Sequence, residues 1–222
     1  LRGRRRALVH FRTCAADAPV LVGTHHKTGT VLLERLLAMY ASERRVHFHK
    51  PAWERCPWIA RREGGVCVDE HLNLNRLRRF WMPPASAAAT LRAPLVHVVR
   101  EPLEACVSAY QYHLHASEDW LRVPRKEEEV LRSHPLAATL AGLPWQEVLR
   151  RTSARDGIEL ECRRSIKDQI AQQAEAFNAT RADARVFTMR MEATEKDFDG
   201  TMRKLFTFLG AAHASWPGIA SE

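Results

Sequence analysis

The 222-residue chain lacks any apolar run near the roughly 18 residues that would mark a membrane-spanning helix. It contains no internal repeat and no low-complexity tract, so one core-forming domain is expected rather than an array or a linker. The five cysteines, Cys14, Cys56, Cys67, Cys106 and Cys162, form no C-x-x-C pair of the kind that marks zinc or redox motifs. Cys67 and Cys106 sit in apolar elements, so buried free thiols are the simplest reading, although two disulfides and one free thiol would give the same count. That reading leans towards the cytoplasm. The chain starts at Leu1 rather than Met, so upstream sequence is expected and a Golgi-lumenal protein with a removed anchor stays open. No carboxylate cluster suggests a metal site. A formal net charge of +8 suits an anionic ligand, yet no aromatic-interleaved basic surface points to nucleic acid.

What is present concentrates in two places. The stretch Val20-Leu21-Val22-Gly23-Thr24-His25-His26-Lys27-Thr28-Gly29-Thr30-Val31-Leu32-Leu33 runs from an apolar strand through a glycine-containing loop into an apolar helix. Backbone N–H groups in the first turn of a helix lack intrahelical partners and lie at the positive end of its dipole, so they bind anions. The nucleoside-triphosphate version of this device, G-x-x-x-x-G-K-[ST], has its lysine after the second glycine, whereas Lys27 comes two residues before Gly29. The second place is Leu95-Val96-His97-Val98-Val99-Arg100-Glu101-Pro102, a β-branched strand ended by a proline suited to a helix start. In the helix that follows, Leu103, Val107, Tyr110 and Leu114 recur at the spacing of one buried face.

The order K-T-G-T after a strand resembles the 5′-phosphosulfate loop of sulfotransferases, which use 3′-phosphoadenosine 5′-phosphosulfate (PAPS). Arg100, the proline-led helix start, Ser108 and the aromatic Tyr110 resemble that family's 3′-phosphate site, about seventy residues downstream as the family order requires. The physical logic is a guanidinium fork and a helix-borne hydroxyl offered to phosphate oxygens. The resemblance implies a three-layer α/β, P-loop-like fold with a central parallel sheet flanked by helices. It implies cofactor contacts from His26, Lys27, Thr28, Gly29, Thr30, Val31, Arg100 and Ser108, with adenosine 3′,5′-bisphosphate (PAP) as product and no metal. Leu32 stands where the cytosolic enzymes stack a tryptophan on adenine, and no glycine-rich C-terminal closing segment is found.

The proton acceptor is open. Val46-His47-Phe48-His49 resembles the V-H-F-F element of heparan sulfate 3-O-sulfotransferases, but the glutamate that precedes it there is Arg45 here, which stays protonated. His47 and His49 face one side of a strand. The cytosolic enzymes use a histidine after a later strand, where His71 follows Val68-Asp69-Glu70. The ranking is His49 and His47, then His71, with Glu43 and Glu70 behind. An H-x-H zinc site at His47 and His49 is weighed and set low for want of a third ligand. His25 and His26 are expected to shape the loop, and Lys27 to place positive charge at the departing phosphate.

The expected organisation is a basic tail over residues 1–18, carrying Arg2, Arg4, Arg5 and Arg6, and one domain over 19–222. Strands are expected at Val46–His49, Val66–Val68 and Arg185–Glu192, with Thr194 and Asp197 opening a helix that ends at Gly210. Ile166, Ile170, Ala174 and Phe177 mark another helix. Residues 116–165, anchored by Trp120 and Trp145, read as a helical insertion over the acceptor pocket, or equally as a packing subdomain. Trp53, Trp58, Phe80, Trp81 and Trp120 suit either a pocket or a core. The functional expectation is sulfuryl transfer from PAPS to a hydroxyl or amine of a small-molecule or carbohydrate acceptor. A nucleotide kinase or nucleoside-triphosphatase, and a non-catalytic nucleotide- or polyanion-binding protein, are the alternatives. A homodimer is left open.

Overall fold

The computed structural model describes residues 19–50, 65–81, 93–124, 129–132, 134–135 and 137–210. The N-terminal arginines, Trp53, Trp58, Cys14, Cys56 and the side chain of Phe80 lie outside the described residues.

Five parallel strands form one sheet in the order β2-β3-β1-β4-β5. They are β1 (Val20–Gly23), β2 (Phe48–His49), β3 (Val66–Asp69), β4 (Leu95–Val99) and β5 (Val186–Arg190). Every residue of β1, β3 and β4 is buried, as expected of strands covered on both faces. Alternation sorts their side chains into two cores. Val20, Val22, Val66, Val68, Val96 and Val98 face α1 (Thr30–Arg44), which contributes Leu33, Leu37 and Tyr40. Leu21, Cys67 and Leu95 face the other way, towards Leu72, Leu77 and Trp81 after β3. This is the three-layer α/β arrangement expected from the sequence.

Beyond β3 lie α2 (Leu74–Arg76) and a wider turn, Leu77–Trp81. The Trp81 indole donates to the Ala93 carbonyl at 2.9 Å from full burial, so this tryptophan belongs to the core. After β4 comes α3 (Pro102–His115), with Pro102 in its first turn and the Glu101 carboxylate accepting from Glu104 N–H. Its buried residues are Ala105, Cys106, Ala109 and His113, which corrects the expected face, since Leu103 is 61% exposed. The reason is Cys106, which forms a disulfide with Cys162 and so turns the small-residue face inward. Cys67 is also disulfide-bonded, so the free-thiol expectation fails for all three described cysteines.

Among the described residues between 116 and 161 lie α4 (Asp119–Arg122), α5 (Glu129–Arg132), α6 (Ala137–Leu140), α7 (Trp145–Arg151) and α8 (Ala154–Glu161). They bury a core of their own, with Leu121, Leu131, Leu140, Trp145, Val148, Leu149 and Leu160, against which Tyr110 and Leu114 of α3 pack. The Gln146 amide donates to the carbonyls of His113, Leu114 and Ala116, satisfying the end of α3.

A wide turn, Cys162–Ile166, leads into α9 (Lys167–Thr180). Ala176 and Thr180 of α9 are buried and Ala174 is exposed, so the expected stripe turns to place Gln173 against β4. The strand predicted to run to Glu192 ends at Arg190, where α10 (Met191–Lys196) begins. Asp197 alone caps α11 (Phe198–Phe208), while the Thr194 hydroxyl bonds back to the Arg190 carbonyl inside α10.

The Cys106–Cys162 bond closes a loop of sequence separation 56 and ties the insertion's exit to the middle of α3. Non-reducing peptide mapping is expected to recover the linked peptides, and replacing both cysteines by serine should cost about 2–4 kcal/mol in chemical denaturation. Free thiols at both positions in the oxidised protein would contradict this connection.

Candidate active site

From β1 the chain passes to α1 and the β2/β3 side of the sheet, while β4 leads to β5 on the other side. The crevice beyond the carboxyl ends of β1 and β4 is therefore the switch point of the sheet, where ligands bind in open α/β folds. The Lys27 loop leaves β1 here and Arg100 leaves β4.

The loop is built by short local bonds. Thr28 Oγ1 donates to the His25 carbonyl at 2.8 Å and accepts from His25 N–H at 2.9 Å. Thr30 Oγ1 donates to Thr24 Oγ1, and Thr24 N–H bonds the Asp69 carbonyl of β3. Lys27 has φ 63° and Gly29 φ 86°, both in the left-handed region. A Cβ at Gly29 would also lie 2.6 Å from Met191 Sδ, so this position accepts only glycine. Gly29 N-caps α1 with no side-chain cap and no acidic residue in the first turn. The N–H groups of Thr30 and Val31 are thus left for an anion.

Lys27 turns its ammonium onto the face of Tyr112, 3.1 Å from the ring centroid. Burial pushes its pKa down to about 8, against the opposing attraction of Glu118 and Glu161. His26 stacks on His113 with centroids 5.6 Å apart. His113 Nδ1 pairs at 2.8 Å with Glu161, which also accepts from the Trp145 indole, and His113 and Glu161 are fully buried.

Arg100 connects the two motifs. Its Nη1 donates to the Lys27 carbonyl at 3.2 Å and its Nη2 to Glu195 at 3.2 Å, while Nε is buried with no partner. Gln173 holds its backbone on both sides, accepting from Arg100 N–H at 2.9 Å and donating to the Arg100 carbonyl at 2.7 Å. Ser108 is half-buried one helical turn before Tyr112, so the two share a face of α3 with Cβ atoms about 5–6 Å apart. Lys27 thus meets Arg100 through its carbonyl and Tyr112 through its ammonium, and Ser108 stands one turn before that ring on α3.

The candidate proton acceptors separate. His71 is exposed two residues beyond β3, next to Leu72, whose N–H bonds the Thr24 carbonyl at the start of the loop at 3.2 Å. His47, just before the edge strand β2, and His49, within it, stack on each other at 5.5 Å and so share a side. His49 is level with Cys67, short of the Gly23–Asp69 level from which the loop departs. β2 is also two strands from β1, about 10 Å across the sheet. Glu70 is engaged by Lys50, which it shares with Glu34. Arg45, at φ 56°, closes α1 by bonding the Ala41 and Ser42 carbonyls. Leu32 packs against the main core.

Sequence reasoning missed Tyr112, His113, Glu118, Glu161, Gln173 and Glu195, none of which falls in a motif. It also missed His97, whose Nε2 lies 2.9 Å from that of His25. Both imidazoles are held neutral, His25 with a pKa of about 3 and His97 of about 4, chiefly by burial.

A profile of the sulfotransferase domain matches residues 17–215. The chain belongs to the sulfotransferase domain family. No curated protein sequence matches this sulfotransferase-family chain. Among solved structures it is similar to mouse sulfotransferase SULT7A1 complexed with PAP, at 19% identity and a TM-score of 0.49. That alignment covers 90% of this chain and 60% of the mouse chain, so the chain spans less than two thirds of the length of the mouse chain.

The buried histidines carry an acid-lability prediction. Because their folded pKa values lie below the unfolded value near 6.5, their contribution is complete above pH 6.5 and is lost as pH falls towards 4 and 3. Each should cost about 1.4 kcal/mol per pH unit within that window. His26, with a pKa of about 4, contributes to the same slope, so denaturation between pH 7 and 5 is expected to show it reduced by about a third in His97→Leu, and a flat profile in wild type would contradict it.

Proposed function

We propose that this protein transfers the sulfuryl group of PAPS to a hydroxyl or amine of a small-molecule or carbohydrate acceptor. The observation that carries the reading is the bond from Arg100 to the Lys27 carbonyl, which joins two motifs far apart in sequence into one anion-receiving surface. Three features suit a nucleotide with phosphates at both ends of its ribose. The first turn of α1 offers free N–H groups to the 5′-phosphosulfate. Arg100 has an unpartnered buried Nε, and a second nitrogen on a carboxylate that is 58% exposed, which a 3′-phosphate would displace. Ser108 supplies a hydroxyl on the same side.

In this reading the acceptor oxygen or nitrogen attacks sulfur in line with the departing phosphate. Lys27 stabilises the charge that grows on the bridging oxygen, and the loop N–H groups hold the phosphate in place. His71 takes the acceptor's proton, since it is the candidate histidine beside the loop and is open to an incoming molecule. The insertion over residues 116–165 borders the acceptor side through Glu118 and Trp120. Residues 19–222 act as one domain preceded by the basic tail.

The kinase alternative fits less well. Its lysine would follow Gly29, and the acidic residue at the end of β3, Asp69, is already bound by Arg76 Nη1 at 2.7 Å. Among the described residues no group of three or more His, Cys, Asp or Glu could hold a metal ion. No helix among them is long and apolar enough to cross a membrane. The disulfides favour an oxidising compartment, such as the secretory lumen, over the cytoplasm that free thiols would suit.

Labelled PAPS, offered with a panel of phenols, amines and sugars, should yield a sulfated product at a rate unchanged by EDTA. Lys27→Ala should lower that rate about 100- to 1,000-fold. Magnesium-dependent ATP turnover with no sulfated product would overturn the reading.

A further inference from the structure

The Lys27 loop is docked on α3 by two neighbouring contacts. His26 stacks on His113, and the Lys27 ammonium sits on the ring of Tyr112, the residue before it. Behind each aromatic stands a carboxylate from the insertion. Tyr112 donates its hydroxyl to Glu118 Oε1 at 2.7 Å, and His113 Nδ1 pairs with Glu161 at 2.8 Å. Glu118 Oε2 is a buried atom with no partner, so this carboxylate is held from one side only. A lysine in a half-buried loop with no anion beside it would tend to lose its proton. Tyr112 and Glu118 counter this in two ways: the ring face attracts the ammonium directly, and the tethered carboxylate supplies charge beyond it.

We propose that Glu118 and Tyr112 are positioning residues for Lys27: the ring seats the ammonium, and the carboxylate fixed by the Tyr112 hydroxyl keeps it charged until the anionic nucleotide arrives. This rests on the reading that Lys27 meets the phosphosulfate end of PAPS. It gives the insertion a task in the reaction beyond packing, since its first helix begins directly after Glu118.

The groups facing Lys27 fix the sign of the effect. From the insertion, Glu118 and Glu161 favour its charged form. From its own loop, His26 is neutral, with a pKa of about 4. From α3, His113 is already paired with Glu161, and Tyr112 titrates above its ordinary value because its hydroxyl is bonded to Glu118. Of Lys27, Arg100 meets the backbone carbonyl. Above pH 7 the phosphates of PAP are fully ionised, their second pKa being about 6. Between pH 7 and pH 10, therefore, Lys27 is the group whose titration governs binding. Wild-type affinity for PAP should hold to about pH 8 and then fall by up to about tenfold per pH unit, because a neutral Lys27 must take up a proton to bind.

The test is calorimetric titration of PAP into wild type, Glu118→Gln and Tyr112→Phe across this range. Glutamine still accepts the Tyr112 hydrogen bond through its carbonyl, so a purely structural role for Glu118 leaves the midpoint where it is. The proposal requires the midpoint of Glu118→Gln to fall by about half a pH unit or more, with affinity at pH 7 equal to wild type or better. Tyr112→Phe, which keeps the ring but frees Glu118, should move it the same way by less. Tight wild-type binding with an unshifted midpoint in Glu118→Gln overturns this proposal alone. No binding of PAP by wild type at pH 7 overturns the nucleotide reading and this proposal with it.

Discussion

A lysine held at positive φ between an uncapped helix N-terminus and a tyrosine ring sets the terms for everything around it. The loop gathers positive potential from the helix end, from Lys27 and from Arg100 in a place where burial makes each expensive. The structure answers with local contacts. Arg100 leans on the Lys27 carbonyl and on an exposed carboxylate, and the ammonium rests on an aromatic face. The neutral pair of His25 and His97 beneath the loop adds no further charge, because burial keeps both imidazoles unprotonated at neutral pH.

The sheet makes this convergence unavoidable. β1 and β4 are neighbours in register, with Gly23 opposite His97, so the segments that follow them emerge side by side although about seventy residues separate Lys27 from Arg100. Each is then braced by a different layer. Gln173 of α9 clamps the backbone of Arg100, Met191 at the start of α10 closes over Gly29, and α3 receives His26 and Lys27. The Cys106–Cys162 disulfide ties that insertion to α3 close to Ser108. Fold and site are consequently coupled: the residues proposed to meet the two ends of the nucleotide stand on elements that cross-brace one another.

What could be read in the sequence was whatever is encoded locally. The apolar runs of β1 and β4, Pro102 at the start of α3, and the lysine and glycine of the loop each announce themselves within a few residues, and the parallel sheet follows from their alternation with helices. The faces of α3 and α9 were misread for a specific reason. Hydrophobic spacing chose Leu103 and Ala174, but a disulfide and a polar clamp on Arg100 decided which side turns inward. The partners of the loop were invisible because Tyr112, His113, Glu118 and Glu161 meet Lys27 and His26 only through tertiary packing. The histidines ranked first, His47 and His49, owed their place to a local resemblance. The register of β2 sets them at the sheet edge, whereas His71, ranked lower, lies between Asp69 and Leu72, both of which bond Thr24 at the start of the loop.

The central claim is that Arg100 and Lys27 form one site for a nucleotide phosphorylated at both 3′ and 5′ positions. Its most direct test is calorimetric titration of the protein, without magnesium, with PAP, 5′-AMP and ATP, repeated on Arg100→Ala. The account predicts that the 3′-phosphate confers a preference over 5′-AMP of about tenfold to a hundredfold, the worth of a charged hydrogen-bonded pair, and that Arg100→Ala abolishes this preference. Equal affinity for PAP and 5′-AMP, or a preference that survives in Arg100→Ala, would contradict it.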